Sequence, residues 1–257
     1  MQLYKGMNIG TAKLTPLEQQ GISHHLLDVW DVDVTATAAA YQALCRGVLA
    51  DLARSGVPAI VVGGSGLYLR AALDQIEFPG TDPELRAALE QELSDNGPEA
   101  LHRRLAELDA DAAGRMQPTN GRRVVRALEV VLMTGSMPGR LTDYPMHIET
   151  TYLGLDRTDL ADRVAQRVDR MWAQGLLDEV RSLPPLGPTA RRALGYSQVL
   201  AQLAGELNEQ QAKEQTITAT RRFVRRQRAW FRRDPRVTWL PEGPDGTEMA
   251  RRLISSD

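Results

Sequence analysis

Cysteine, lysine and long apolar runs are all scarce in this chain of 257 residues. Its single cysteine, Cys45, excludes an internal disulfide and any zinc site built on cysteines. No apolar run approaches the roughly 18 residues that span a membrane, and no signal peptide follows Met1. We therefore expect a cytoplasmic protein that does not bind membranes.

Two of the reactive residue types show no pattern typical of a catalytic or metal site. Cys45 lies in an apolar helical stretch, which favours a buried, inert thiol over a nucleophile. The four histidines, at positions 24, 25, 102 and 147, lack the spacing of metal ligands. No metal site is therefore predicted within these residues.

Arginine supplies most of the positive charge, and it is unevenly distributed along the chain. Only three of the 31 cationic residues are lysines. Between Ile217 and Arg236 there are eight arginines and one acidic residue, Asp234, so this segment has a charge of +7. Because the net charge of the whole chain is −2, the rest of the chain has a charge of −9. Codon bias explains an excess of arginine but not its clustering. The arginines of this helix form a basic stripe, and Phe223 and Trp230 lie on a second stripe that is predicted to pack in the core. This combination is typical of a nucleic-acid-binding helix, and a solvated helix is the alternative.

The stretch Val57–Val62 and the glycines that follow it predict a strand-to-helix turn. Its unbroken apolar run suits a parallel strand buried on both faces. The turn Gly63-Gly64-Ser65-Gly66 would direct free backbone N–H groups toward a ligand, and its glycines would allow close approach. An ordinary connection is the alternative, because the spacing matches neither a dinucleotide fingerprint nor a Walker A loop.

The order of predicted elements indicates an α/β fold with a parallel sheet and a helical insertion. Strands are predicted at residues 23–29, 57–62 and 150–155, with helices at about 37–55 and 160–174 and from the loop at 183–188 to about 233. The first helix should bury Ala40, Leu44, Val48 and Leu52. Between residues 81 and 147 only helices are predicted, the first capped by Asp82 and the last running from about 120 to 134. We therefore predict a core formed by residues 1–80 and 148–257 and an insertion domain at 81–147.

Three arginines, Arg122, Arg123 and Arg126, cluster at the start of the last insertion helix. Its inward face is predicted to carry Val124, Val125, Leu128, Val131 and Leu132. Cations are unfavourable at a helix N-terminus, so a bound anion would explain the cluster better than solvent. A solvated face is the alternative.

Seven segments of the chain, in this order, resemble the tRNA dimethylallyltransferase family. They are QLYKGMNIGTAK (2–13), HHLLD (24–28), VGGSGLY (62–68), DPELR (82–86), RRVVRALEV (122–130), LGYSQ (194–198) and TRRFVRRQRAWF (220–231). Each is weak alone, whereas the ordered set is highly specific and covers almost the whole chain.

The resemblance implies a reaction, a fold and partners. Members of the family transfer a dimethylallyl group from dimethylallyl diphosphate, with Mg²⁺, to N6 of the adenosine 3′ of the tRNA anticodon. Their fold is a P-loop-kinase-like core with a helical insertion that grips the anticodon arm. The target base is flipped into a channel, which exposes an atom otherwise engaged in stacking and pairing. A monomer is expected.

The resemblance also implies which residues contact tRNA. They are Gln2, Ser65 (usually Thr in the family), Arg86, the segment Arg122, Arg123, Val124, Val125 and Arg126, and the segment Arg192, Ala193, Leu194, Gly195, Tyr196 and Ser197. On the basic C-terminal helix, Arg221 and Arg225 are candidate phosphate contacts.

The chain departs from the family pattern at its start. Family members begin with a strand and a P-loop, and a second strand then ends in Asp-Ser-x-Gln, of which Met1 and Gln2 match the last two positions. The P-loop that holds the diphosphate and the Asp base that takes the N6 proton are expected upstream of Met1. No catalytic or metal-binding residue is therefore assigned within this chain.

This departure leaves two explanations and two other functions open. We expect a start codon assigned too late, and a fragment or decayed copy is the alternative. In either case residues 1–257 should be inactive, because leaving-group stabilisation and a base are both required. The other functions are a non-catalytic RNA-binding remnant and an adenylate isopentenyltransferase, although a free nucleotide needs no such basic surface.

Overall fold

The computed structural model describes residues 1–139 and 144–255 of the chain. The chain divides into two compact units. We call Met1–Asp74 with Met146–Asp257 the core unit, and Gln75–Pro145 the helical unit. Among the described residues, no helix has the length and apolar character needed to cross a membrane.

The core unit combines one small parallel sheet with many helices. Its elements are α1 (Ala38–Arg54), α2 (Gly66–Leu73), β1 (Tyr152–Leu155), α6 (Leu160–Ala173), α7 (Leu176–Ser182), a 3₁₀ turn (Ala190–Arg192), α8 (Tyr196–Leu203), α9 (Glu209–Phe231), β2 (Val237–Leu240) and α10 (Pro244–Ser255). β1 and β2 pair in parallel, with Tyr152 opposite Val237 and Leu155 opposite Leu240. The prediction of an α/β fold is therefore confirmed, and β2 and α10 were not predicted.

The main hydrophobic cluster of the core unit joins its N-terminal segment to α6, α7, α8 and α9. On α6 the residues Val164, Val168 and Met171 recur at helical spacing and are buried. They lie on one face, within the bounds predicted for this helix. Fully buried Tyr4 and Tyr196 belong to the same cluster, and both phenol oxygens have hydrogen-bond partners.

Helix α1 confirms the predicted bounds but not the predicted inward face. Its buried residue is Cys45, which packs with Tyr41 and Leu49 against α2, whereas Leu44 is 38% exposed. Alanine and glycine occur on both faces of α1, so the sequence did not indicate which face is buried. Burial raises the pKa of the Cys45 thiol, which agrees with an inert buried cysteine.

Two predicted strands are wrong. Residues 57–62 form no strand, and Ile60 and Val62 are 82% and 89% exposed. A parallel strand needs a neighbour on its edge, and no described segment pairs with this one. Residues 23–29 form no strand: residues 26–28 form a bend in which Leu26 (φ 62°) and Asp28 (φ 54°) are left-handed, and a single bridge, Tyr4–Trp30, follows at Trp30.

The helical unit contains α3 (Pro83–Leu108), α4 (Ala110–Gly114) and α5 (Gly121–Thr134). Asp82 caps α3 as predicted, accepting hydrogen bonds from the backbone N–H groups of Glu84 and Leu85. α3 is kinked at Gly97 (φ 77°), where the sequence predicted a break between two helices. α5 ends at left-handed Gly135, as predicted.

The core of the helical unit forms between α3 and α5. Leu89, Leu101 and Leu105 of α3 are buried with the α5 residues Val124, Val125, Leu128 and Val131. This confirms the inward face predicted for α5, except that Leu132 is 40% exposed.

Candidate nucleic-acid interface

The turn Gly63–Gly66 before α2 is shaped by α9. A Cβ atom at Gly64 would lie 2.1 Å from the Gln227 side chain, and one at Gly66 would lie 1.9 Å from Nε1 of Trp230. Gln227 Nε2 also donates a hydrogen bond to the Gly64 carbonyl at 2.7 Å. At Gly64 and Gly66 the space that a side chain would need is therefore occupied by α9, whereas a Cβ at Gly63 would lie 3.8 Å from the Leu69 side chain.

Ser65 lies at the N-cap position of α2, and its side chain makes no capping hydrogen bond. The residue is exposed. Its hydroxyl is therefore accessible at the surface of the core unit, where the sequence predicted a tRNA contact.

The segment Arg192–Ser197 connects the 3₁₀ turn to α8, and only some of its side chains are exposed to solvent. Arg192 is exposed, and Leu194 and Ser197 are partly exposed. Gly195 (φ 88°) makes the left-handed turn into α8. Three predicted contacts in this segment, Ala193, Gly195 and Tyr196, are buried, and the Tyr196 hydroxyl donates to Glu179 at 2.6 Å.

An open groove of about 500 Å³ lies between α8 and α9, beside Ser197. Its polar lining consists of Gln198, Glu214, Gln215, Thr218 and Arg222, so it carries one carboxylate and one guanidinium. The amides and the hydroxyl can donate and accept hydrogen bonds, and the guanidinium can pair with a phosphate.

Residues 2–13 form a tightly hydrogen-bonded loop of the core unit. Gln2 Nε2 donates to the carbonyls of Thr11 and Ala12, both at 3.1 Å. The side chain of Lys13 is 5% exposed, and its Nζ donates to Asp28 Oδ1 at 2.5 Å and to the Tyr4 carbonyl at 2.7 Å. Sequence reasoning missed this role of Lys13, although a lysine is rare in this chain.

The three clustered arginines of α5 fall into two groups. Arg122 and Arg123 are exposed at the start of α5. Arg126 instead donates to the Pro79 carbonyl at 2.7 Å, the Gly80 carbonyl at 3.0 Å and Glu129 Oε2 at 2.7 Å. An internal carboxylate therefore explains Arg126, whereas Arg122 and Arg123 remain available to an external anion.

The remaining predicted contacts of the helical unit differ in accessibility. Val124 and Val125 are 0% and 1% exposed, so their side chains pack in the core and do not face solvent. Arg86 is partly exposed and lies 3.6 Å from Glu129 and 3.8 Å from Glu90. Its guanidinium keeps an accessible side.

Several arginines of α9 donate hydrogen bonds to other residues of the protein. Arg228 and Arg232 both donate to Oδ2 of Asp156, at 2.7 Å and 2.9 Å. Burial raises the pKa of Asp156, but hydrogen bonds, chiefly from Arg228, outweigh this and hold it below its usual value. Arg221, a predicted phosphate contact, donates to the Ala161 carbonyl at 3.2 Å.

The outer side of α9 is basic and carries exposed aromatic surface. Arg225, the other predicted phosphate contact, is exposed, and so are Arg222 and Arg226. Arg226 lies over the Phe223 ring, 5.8 Å from its centroid, and Phe223 is 37% exposed. Trp230 is 39% exposed. Phe223 and Trp230 are therefore not buried core residues as predicted, although Trp230 packs against Gly66 of α2.

A buried ion cluster connects α2 with the segment before β2. Arg70 pairs with Asp74 at 3.0 Å and with Asp234 at 2.6 Å, and Arg236 pairs with both carboxylates. Hydrogen bonds from Arg236 lower the pKa of Asp234. The cluster fixes the C-terminal end of α2.

Comparison with known proteins identifies the family. A sequence profile described as IPP transferase matches residues 2–234. The chain belongs to the IPP transferase family. The tRNA dimethylallyltransferases of Thermobifida fusca and Streptomyces coelicolor are 56% and 55% identical to this family member, and the alignments cover 99% of the chain and 82% and 84% of the relatives.

Solved structures agree with this assignment. The full-length tRNA isopentenylpyrophosphate transferase of Bacillus halodurans is 32% identical to this IPP transferase family member, with a TM-score of 0.68 over 99% of this chain and 84% of the other. A eukaryotic dimethylallyltransferase acting on tRNA reaches a TM-score of 0.76 at 23% identity, which shows the shared fold alone.

Proposed function

We propose that this IPP transferase family member acts in the transfer of a dimethylallyl group from dimethylallyl diphosphate to N6 of the adenosine 3′ of the tRNA anticodon. The observation that carries the proposal is the family match over residues 2–234, together with relatives above 50% identity that are named tRNA dimethylallyltransferase. Transfer breaks the C–O bond to the diphosphate, forms a C–N bond and releases the N6 proton to a base.

The described residues support the tRNA-binding half of this function. Exposed arginines lie on both units: Arg122 and Arg123 on the helical unit, Arg192 and Arg225 on the core unit. Guanidinium groups pair with phosphates in a fork geometry, and each neutralised phosphate releases counterions. We infer that these side chains, with Gln2, Ser65, Arg86 and Ser197, contact the anticodon arm.

We propose that the groups for the chemical half of the reaction, a phosphate-binding loop and a base, do not lie within these 257 residues. No Gly-x-x-x-x-Gly-Lys-Ser/Thr motif occurs in the sequence. Mg²⁺ would accompany the diphosphate, but the described residues bring together no group of three or more acidic, histidine or cysteine side chains to hold a metal ion. We therefore derive no step through Mg²⁺, and we propose that residues 1–257 alone bind tRNA without transferring the prenyl group.

The domain assignment is part of the same proposal. We propose that residues 1–80 and 148–257 are a P-loop-kinase-like core without its phosphate-binding loop, and that residues 81–147 are an insertion that grips tRNA. The compact helical unit, Gln75–Pro145, supports this division with slightly different bounds. A monomeric, cytoplasmic protein remains the expectation.

A second candidate is a non-catalytic RNA-binding remnant. In this candidate the exposed arginines Arg122, Arg123, Arg192 and Arg225 bind RNA and no prenyl group is transferred. The two candidates predict the same binding but different activity.

Two measurements test the proposal. Residues 1–257 should bind an anticodon stem-loop with an affinity that falls as salt rises. Arg122→Ala with Arg123→Ala should weaken binding and reduce the salt slope by about one unit per lost phosphate contact. Arg103→Ala, an exposed arginine on α3 outside the predicted contacts, is the control. No stem-loop binding by the wild-type chain would refute the proposal.

Transfer activity then separates the two candidates. Residues 1–257 should transfer no dimethylallyl group, whereas a chain preceded by a P-loop segment from a family member should do so. Activity of residues 1–257 alone would refute the inactivity that we propose. A restored chain that binds tRNA and diphosphate but stays inactive would favour the remnant.

A further inference from the structure

The carboxylate of Glu179 on α7 is bound by three successive backbone N–H groups of the loop near the N-terminus. Its Oε2 accepts from Asn8 at 3.0 Å and from Ile9 at 2.7 Å, and its Oε1 accepts from Gly10 at 3.4 Å. Successive N–H groups form a concave site that suits an anion. The loop Met7–Ala12 therefore depends for its shape on a side chain about 170 residues away in sequence.

Tyr196 completes this arrangement from α8. Its hydroxyl donates to Oε1 of Glu179 at 2.6 Å, and its ring lies against the backbone of Gly10, where a Cβ atom would come within 2.4 Å. Burial, followed by the hydrogen bond to Glu179, raises the pKa of Tyr196, so the phenol remains a protonated donor. The loop is thus held by Glu179 through hydrogen bonds and by Tyr196 through packing.

The same loop holds Gln2 at its other end. The carbonyls of Thr11 and Ala12 accept from Gln2 Nε2, and the Thr11 hydroxyl donates to the Met7 carbonyl at 2.6 Å. A continuous set of contacts therefore runs from Glu179 through the loop to the Gln2 side chain. Tyr196 connects Glu179 in turn to the segment Arg192–Ser197.

We propose that Glu179 is a positioning residue for tRNA binding, which holds the loop Met7–Ala12 and through it the side chain of Gln2. This inference rests on the proposed function, in which Gln2 and the segment Arg192–Ser197 contact the anticodon arm. Glu179 itself touches no RNA. If Glu179 is only a tether that stabilises the fold, its replacement will lower stability without a specific effect that passes through Gln2.

The test is a double-mutant cycle on binding of an anticodon stem-loop by residues 1–257. Glu179→Gln keeps the shape of the side chain but replaces one acceptor oxygen with an NH₂ group, which cannot accept, so the amide cannot keep all four hydrogen bonds from Asn8, Ile9, Gly10 and Tyr196. We expect it to weaken stem-loop binding about fivefold, the typical net contribution of one hydrogen bond. In a Gln2→Ala background the same change should weaken binding by less than about twofold, because coupled residues are not additive.

Controls distinguish positioning from charge and from folding. Asp178→Asn removes a carboxylate from the neighbouring position of α7, where the side chain is 79% exposed and pairs with Arg181, and it should leave binding unchanged. Hydrogen exchange at Asn8–Gly10 should accelerate in Glu179→Gln and not in Asp178→Asn. If Glu179→Gln does not fold, Tyr196→Phe removes one donor from the same carboxylate and should show the same non-additivity with Gln2→Ala.

The outcomes are distinct. Wild-type chain that fails to bind the stem-loop refutes the proposed function. Wild-type chain that binds, with equal losses from Glu179→Gln in both backgrounds or with no loss in either, refutes only the positioning role.

Discussion

The Arg126 guanidinium donates to the carboxylate of Glu129 across one turn of α5, at 2.7 Å, and Glu129 is fully buried. Glu129 also accepts from the backbone N–H of Asp82. Arg126 in turn binds the carbonyls of Pro79 and Gly80. The pair therefore fastens the entry of the helical unit to its central helix, and it gives Arg126 partners within the protein.

Removing Arg126 should therefore destabilise the protein. We expect Arg126→Ala to lower the free energy of unfolding by about 2 kcal/mol, because it removes the guanidinium that lies 2.7 Å from the buried Glu129 carboxylate and leaves the more distant Arg86, at 3.6 Å, and the Asp82 N–H. Urea denaturation measures this change. Arg122→Ala, at an exposed position of the same helix, is the control and should change stability by less than about 0.5 kcal/mol. Equal stability of the two variants would contradict the structural role.

A side chain at Gly66 should disrupt the contact between α2 and α9. The Cβ of Gly66→Ala would lie 1.9 Å from Nε1 of Trp230, so the indole must move, at a cost of about 1–3 kcal/mol. Gly47→Ala is the matched control, since its Cβ meets open space within α1, and it should stabilise the protein by about 0.5–1 kcal/mol. Thermal melting compares the two. A Gly66→Ala chain that melts at the wild-type temperature would exclude the close packing.

The buried ion cluster should make part of the stability sensitive to acid. Hydrogen bonds from Arg236 lower the pKa of Asp234 below its unfolded value of about 3.9. The contribution of Asp234 to the free energy of unfolding is therefore complete above the unfolded pKa. It is lost as the pH falls through the lower pKa of the folded state. We expect the free energy of unfolding to fall below about pH 4 in wild type, and less steeply in Asp234→Asn.

Asp245→Asn, at an exposed position of α10, is the control for this measurement and should keep the wild-type slope. Chemical denaturation at a series of pH values supplies the data. An Asp234→Asn slope equal to that of wild type would show that the cluster does not titrate with folding.

The exposed apolar residues of segment 57–62 should cause self-association and limit the stability of residues 1–257. Ile60 and Val62 are largely exposed, and unpaired apolar backbone recruits other chains. Ile60→Lys with Val62→Lys should therefore reduce aggregation in light scattering without lowering the melting temperature. Val61→Lys is the matched control: Val61 packs against the cluster around Cys45, so this change should lower the melting temperature.

Wild-type residues 1–257 that remain monomeric at high concentration, with a cooperative melt at an ordinary mesophilic temperature, would contradict this prediction. The same result would show that the unpaired apolar segment does not limit the stability of residues 1–257.

Local patterns in the sequence determined several features correctly. The helix at 120–134 was predictable because its apolar residues repeat at helical spacing between Asn120, a cap, and Gly135, a stop. The cap at Asp82 and the buried thiol at Cys45 followed from similarly local signals. The order of seven short motifs was enough to indicate the family, because the probability of such an ordered set arising by chance is very small.

The tertiary structure alone decided which groups are available for binding. Arg122 and Arg126 are alike in sequence, but contacts to residues 79 and 80 leave only Arg122 free. The glycines at 64 and 66 match a ligand-binding turn, yet α9, more than 160 residues later, packs against them. Such partners are distant in sequence, and no local periodicity encodes them. The strand predicted at 57–62 is wrong for the same reason, since a strand exists only where a neighbouring strand completes its hydrogen bonds.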